Sequence, residues 1–157
     1  MGLFTSSGSK VFISTTTTDP ATFDAAGYAA LTYVQVGANE SIGAFGDEST
    51  EVTFDDLGDG RTKKFKGQRN AGNMEVVCGL DDEDAGQALM RTAEEDDTVN
   101  NYHFKVEFPN SLGTSGAIRY FSGKVMTQRE VVDTANNITK FEATVGINTA
   151  IVKVDAS

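Results

Sequence analysis

Asp81 to Glu95 is the only stretch of this chain in which apolar residues recur at helical spacing: Ala85, Ala88, Leu89, Thr92 and Ala93 fall at i, i+3, i+4, i+7 and i+8. The segments on either side alternate with period two, the pattern of half-buried strands. A lone amphipathic helix in a β chain must lay its apolar stripe on a sheet, because a small β domain offers little else to cover it. The chain therefore reads as mainly β with one flanking α-helix over 82–95, α+β by strict count. Its 157 residues suit one domain, and with 39% hydrophobic residues, including ten Phe, a core needs neither disulfides nor metal.

Residues 1–9 are rich in Ser and Gly, with only Leu3 and Phe4 to pack, and read as a flexible N-terminal arm. The domain spans 10–154, with 155–157 as a tail. Lys10 to Thr18 is a strand of β-branched residues that ends at Asp19-Pro20. A short helical turn over Thr22 to Ala30, capped by Thr22 or Asp24, precedes a strand over Leu31 to Val36. Gly37 to Gly60 carries five glycines and strand character only over Glu51 to Asp55. It reads as a long loop, and loops beyond about 12 to 15 residues are uncommon in compact domains unless they have a task. That loop is the first candidate for a working surface.

Thr62 to Gln68 is a polar strand whose one large apolar group is Phe65, so at most one face meets the core. Asn73 to Leu80 alternates cleanly, and the helix follows with Asp81 or Asp82 as N-cap. Glu94, Glu95, Asp96 and Asp97 crowd its other end, where the helix dipole disfavours carboxylates. Selection for something other than helix stability placed them there. Tyr102, Phe104, Val106 and Phe108 face one way and His103, Lys105 and Glu107 the other, which predicts a strand with one solvated face. Further strands over Ala117 to Thr127, Ile138 to Ile147 and Ala150 to Val154 complete the chain, with turn chemistry over Asp133 to Asn137.

Few residues suggest chemistry. Cys78 sits in an alternating apolar run and reads as a buried hydrophobe, and it has no second cysteine to pair with. His103 is the single histidine and reads as a surface strand residue, so no His/Cys set exists for zinc. Asp55-Asp56-Leu57-Gly58-Asp59-Gly60 has part of a calcium-loop pattern, but Leu57 takes the third ligand place and Lys66 the twelfth. There is no phosphate-cradling Gly-rich loop and no nucleophile elbow. The sequence predicts no enzyme, no cofactor and no metal site. No apolar run approaches the roughly 20 residues of a membrane span, so no membrane partner is expected.

Net charge is −10, which argues against gripping nucleic acid through phosphate neutralisation. The charge is also blocked. Glu40, Asp47, Glu48, Glu51, Asp55, Asp56 and Asp59 come without a base among them, and Arg61, Lys63, Lys64, Lys66 and Arg69 follow without an acid. Such segregation is either an ordinary solvated face or a head-to-tail contact between copies. The residues expected to make such contacts are Leu3, Phe4, Glu40, Phe45, Asp47, Glu48, Glu51, Asp55, Asp56, Asp59, Arg61, Lys63, Lys64, Lys66, Glu94 and Glu95.

Gly67-Gln68-Arg69-Asn70-Ala71-Gly72-Asn73, Gly86-Gln87-Ala88-Leu89, Phe104-Lys105-Val106-Glu107-Phe108-Pro109-Asn110 and Phe121-Ser122-Gly123-Lys124-Val125 are similar, in order and spacing, to the tail tube protein of long, non-contractile-tailed bacteriophages. The likeness covers about residues 30 to 155. It implies a β-sandwich or partly closed barrel flanked by one helix, and hexameric rings stacked into a tube through which DNA leaves the virion. The partners it implies are further copies of the chain, a tape measure protein inside the tube, tail tip and tail terminator proteins, and phage DNA passing without specific binding. It implies a place in the virion tail, and in the host cytoplasm before assembly. Two other readings are a monomeric ligand-binding β-domain with 37–60 as a lid, and the tube component of a type VI secretion system.

Overall fold

β8, Ile118–Val131, is the spine of the fold. Its first half, up to Gly123, pairs with β7 (Tyr102–Glu107), and from Gly123 on it pairs with β9 (Lys140–Ile147), with a register shift between Val125 and Thr127. The computed structural model describes residues 3, 5–109 and 116–156. Around β8 the sheet is antiparallel throughout, in the order β2-β1-β7-β8-β9-β6-β3. Here β1 is Lys10–Ser14, β2 Tyr33–Val36, β3 Asn39–Ile42 and β6 Asn73–Gly79. A short β10, Val152–Val154, pairs with the start of β8. Two further strands, β4 (Glu48–Asp56) and β5 (Arg61–Asn70), pair, among the described residues, only with each other.

The two halves of the sheet meet in one core. Val11, Ile13, Phe104, Val106 and Phe121 come from β1, β7 and the start of β8, and Met74, Val76, Cys78, Phe141, Ala143 and Val145 from β6 and β9. Burying such side chains stabilises by about 1.5 to 3 kcal/mol each, and together they supply most of the favourable free energy of folding. The domain is mainly β with a flanking helix, as the periodicities predict.

The flanking helix is α2, Ala85–Glu95, and it lies against β8, β2 and β1. Its N-cap is Asp84, not Asp81 or Asp82: the Asp84 carboxylate accepts from the backbone N–H of Gln87 and from that of Gly37 (3.0 Å). The buried face also differs from the predicted stripe. Gly86, Gln87, Met90 and Ala93 are buried, whereas Ala85, Ala88 and Thr92 are not. Gly86 is the reason. A Cβ there would lie 2.1 Å from the carbonyl oxygen of Gln35, so only glycine lets the helix seat this close to β2. Gln87 then donates from Nε2 to the carbonyls of Gly37 (3.2 Å) and Gly79 (2.9 Å) and accepts from the N–H of Asp81 at Oε1 (3.1 Å). A hydropathy stripe is blind to a glycine and a glutamine that face inward.

α1, Ala25–Ala29, is capped by Asp24 and carries Tyr28 down onto the outward face of β7 and β8. Tyr28 stacks on Tyr120 with ring centres 5.4 Å apart. β7 is therefore covered on both sides, and His103, expected at the surface, is fully buried. The 37–60 segment is not a loop either: β3 joins the main sheet and β4 forms half of a hairpin.

Candidate functional site

The β4–β5 hairpin is where the predicted contact residues gather. The register places Val52 opposite Phe65, Phe54 opposite Lys63, Thr53 opposite Lys64 and Asp55 opposite Thr62. Directly opposed residues share a face, so Val52, Phe54 and Phe65 form an apolar patch on a face they share with Lys63, Asp56 and Arg61 nearer the turn, and Thr53, Asp55, Thr62 and Lys64 form a polar face. Both faces are open to solvent: Val52 is 49% exposed, Phe54 61% and Phe65 57%. The sequence allows at most one face of β5 to meet the core; in the structure neither does, because β5 leaves the body and contributes no residue to the core. At about 3.4 Å per residue β4 extends about 30 Å. A lone two-stranded hairpin is marginal in water, and one with an apolar face more so.

The turn explains why the chain reverses here. The Asp56 carboxylate accepts from the N–H of Gly58 (2.9 Å), its carbonyl accepts from the N–H of Gly60, and Gly60 adopts φ +62. The Gly58 N–H, and after it Lys63, hold the Asp56 carboxyl below the usual range. Leu57 at the tip is 98% exposed.

Folding the acidic strand onto the basic one pairs the two charge blocks within the chain. Lys63 Nζ lies 2.9 Å from Asp59 and 3.3 Å from Asp56, Lys64 lies 3.5 Å from Glu51, and Arg69 lies 3.2 Å from Asp47. Asp55 accepts from the Thr62 hydroxyl, Arg61 stands opposite Asp56, Lys66 opposite Glu51, and Glu48 opposite Asn70. Acidic and basic residues of the two blocks thus pair inside one hairpin. Exposed pairs of this kind contribute little to stability.

Other predicted contacts lie elsewhere. Glu40 pairs with Lys140 at 2.9 Å beside β3. Phe45 is half-buried against the core, its ring 5.9 Å from that of Phe121. Leu3 is exposed and Phe4 lies outside the described residues. Glu94 is half-buried and Glu95 exposed at the end of α2, where Asp96 turns the chain by accepting from the N–H of Thr98. Hydrogen bonds from Thr98 hold the Asp96 carboxyl below its usual range.

Two open strand edges lie elsewhere on the sheet. Among the described residues β3 pairs only with β6, and β8 beyond Gly123 only with β9. These edges border the sheet β3-β6-β9-β8 on opposite sides and leave backbone N–H and C=O groups free to pair.

One buried cluster has the residue types of a catalytic triad. His103 Nδ1 lies 2.6 Å from Ser122 Oγ, and its Nε2 lies 3.8 Å from Asp19. Ser122 Oγ is also 2.9 Å from the Tyr28 hydroxyl, and both Ser122 and His103 are sealed from solvent. The serine has no face open to a substrate, and the network instead ties α1 to the sheet. Cys78 donates to Asn39 Oδ1 at 3.0 Å, and burial, then the Asp84 charge, push its thiol up to about 12. Among the described residues no group of three or more His, Cys, Asp or Glu is placed to hold a metal ion, and no helix is long and apolar enough to cross a membrane.

No family model and no curated protein matches this sequence. The fold does have solved counterparts. A chain of the anti-feeding prophage baseplate matches with TM-score 0.76 at 9% identity, over 99% of this chain and 97% of that one. One of the sheath/tube terminator of an extracellular contractile injection system, PVC, matches with TM-score 0.71 at 13% identity, over 98% of both. The SPP1 tail tube matches with TM-score 0.62 at 14% identity, over 95% of this chain and 77% of that one. The fold is thus one shared with tail tube and injection-system tube proteins, in agreement with the resemblance read from the motifs.

Proposed function

We propose that this chain is a structural subunit that polymerises head to tail into a phage tail tube, with six copies to a ring and a weakly adhesive conduit for DNA inside. The observation that carries this reading is the β4–β5 hairpin: about 30 Å of strand with an apolar patch that finds no partner among the described residues, on a fold shared with tube proteins. A second copy covers that face. The open edges of β3 and β8 supply the lateral joint, since backbone pairing of one copy's β8 with the next copy's β3 extends the four-stranded sheet around a ring. A net charge of −10 per copy sets like charge against DNA phosphates, so DNA slides without the attraction that counterion release gives a basic wall. That repulsion is screened over about 8 Å at physiological salt and acts on DNA near the wall.

Tape measure, tail tip and terminator proteins complete such an assembly, and the virion tail is its location. A secretion tube would use the same joints with different cargo, and gene neighbourhood separates the two. Electron microscopy of the purified protein across a salt series tests the reading. Hollow fibres with six-fold end views are expected; small monodisperse particles under all conditions would favour a monomeric binding domain.

A further inference from the structure

A cleft beside the base of the hairpin is lined by Phe45, Phe108 and Ile151 together with Arg69, Arg119 and Lys153. Arg69 is matched by Asp47. Arg119 and Lys153 are not so matched: they are direct cross-strand partners on β8 and β10, a like-charge placement that costs stability. The Arg119 guanidinium stacks over the Phe108 ring (5.3 Å) and donates to the carbonyl of Ile118 (3.1 Å), so it is held in place. Neither it nor Lys153 makes an ion pair with a carboxylate among the described residues.

The same chain holds the opposite anomaly. Glu94, Glu95 and Asp97 crowd the C-terminal end of α2, where the helix dipole repels them, and they too make no ion pair among the described residues, although Lys124 stands beside the turn and donates to the carbonyls of Thr98 (2.9 Å) and Asn100 (3.1 Å). The two sites lie toward opposite ends of β7. The strand begins at Tyr102, just after the acidic turn, and Val106 near its far end pairs with Arg119. A basic cleft toward one end and an acidic turn toward the other make a surface pair that cannot close within one molecule. Such a pair matches head-to-tail association.

We infer that the Arg119–Lys153 cleft receives the Glu94–Asp97 turn of a second copy of this chain. The inference rests on the tube reading above and names one of its contacts. It predicts that Glu94→Lys/Glu95→Lys and, separately, Arg119→Glu/Lys153→Glu each raise the critical concentration for fibre formation at least tenfold. Combining all four changes in one chain should return it to within about threefold of wild type. Because Arg119 also packs on Phe108, Lys153→Glu alone, at an exposed position, serves as the second test against the acidic-turn reversal, with thermal melts confirming a folded monomer. Wild-type protein that forms no fibres would contradict the tube reading itself. Fibres that tolerate both reversals, or reversals that fail to compensate one another, would overturn only this contact.

Discussion

A Cβ added to Gly86 would sit 2.1 Å from the carbonyl oxygen of Gln35. The helix backbone thus rests on the backbone of β2 with no side chain between them, and α2 has one seat on the sheet. Gly86→Ala must displace the helix or the strand. It should destabilise the monomer by about 3 kcal/mol, the upper part of the range for overpacked sites, read as a lower urea midpoint at unchanged slope.

Gln87 reinforces the same seat by bonding three backbone groups. Gln87→Leu keeps the bulk and takes away the side-chain partner of the Gly37 and Gly79 carbonyls and of the Asp81 N–H. A loss of about 3 kcal/mol is expected, since each abandoned buried polar group costs about 1 to 3 and the losses are not fully additive. Gln87→Glu should do no better, because a carboxylate has no N–H for the two carbonyls.

His103 gives the stability a pH dependence of definite sign. Burial holds its imidazole below the ordinary value of 6.5, against weaker opposing pulls from the Thr18 and Thr17 backbone and Asp19. As pH falls below 6.5 the unfolded chain takes up a proton that the folded chain refuses, so the native state loses stability until pH passes the folded value. Denaturant titrations between pH 7.5 and 5.5 should show stability falling with acid, by at most about 1.4 kcal/mol per pH unit from this group. His103→Gln should flatten that slope. An equal slope in the variant would assign the effect to other groups.

Cys78 should be inert in the folded protein, since its thiol is enclosed and its ionisation is pushed up to about 12. A disulfide reagent at pH 8 should label it only at the rate of global unfolding. Rapid labelling of the native state would mean that the β6–β9 core opens locally.

How far the residues speak for themselves depends on the range of the interaction. β7 is legible because Tyr102, Phe104 and Val106 alternate within a few residues. The burial of His103 on the other face is not, because the cover comes from Tyr28, distant in sequence, through a short helix with weak signals. The acidic and basic blocks are visible as composition. Whether they pair within a chain or between chains depends on the reversal at Asp56 to Gly60, whose loop-like glycines mask a hairpin. The helix stripe fails for a related reason: hydropathy marks apolar side chains, whereas the buried face is set by a missing side chain at Gly86 and a satisfied amide at Gln87. The family motifs, by contrast, include both of these residues, and the likeness they carry agrees with the fold.

The hairpin face is the centre of the proposed assembly, and one measurement bears on it most directly. Val52→Ser/Phe54→Ser/Phe65→Ser removes the apolar face without touching the core, to which none of the three contributes. Sedimentation velocity and electron microscopy of this variant beside wild type, with thermal melts of both, give the answer. The prediction is hollow fibres for wild type and a folded monomer of unchanged melting temperature for the variant. Fibres of normal length from the variant would contradict the assignment of the hairpin as the joint between copies.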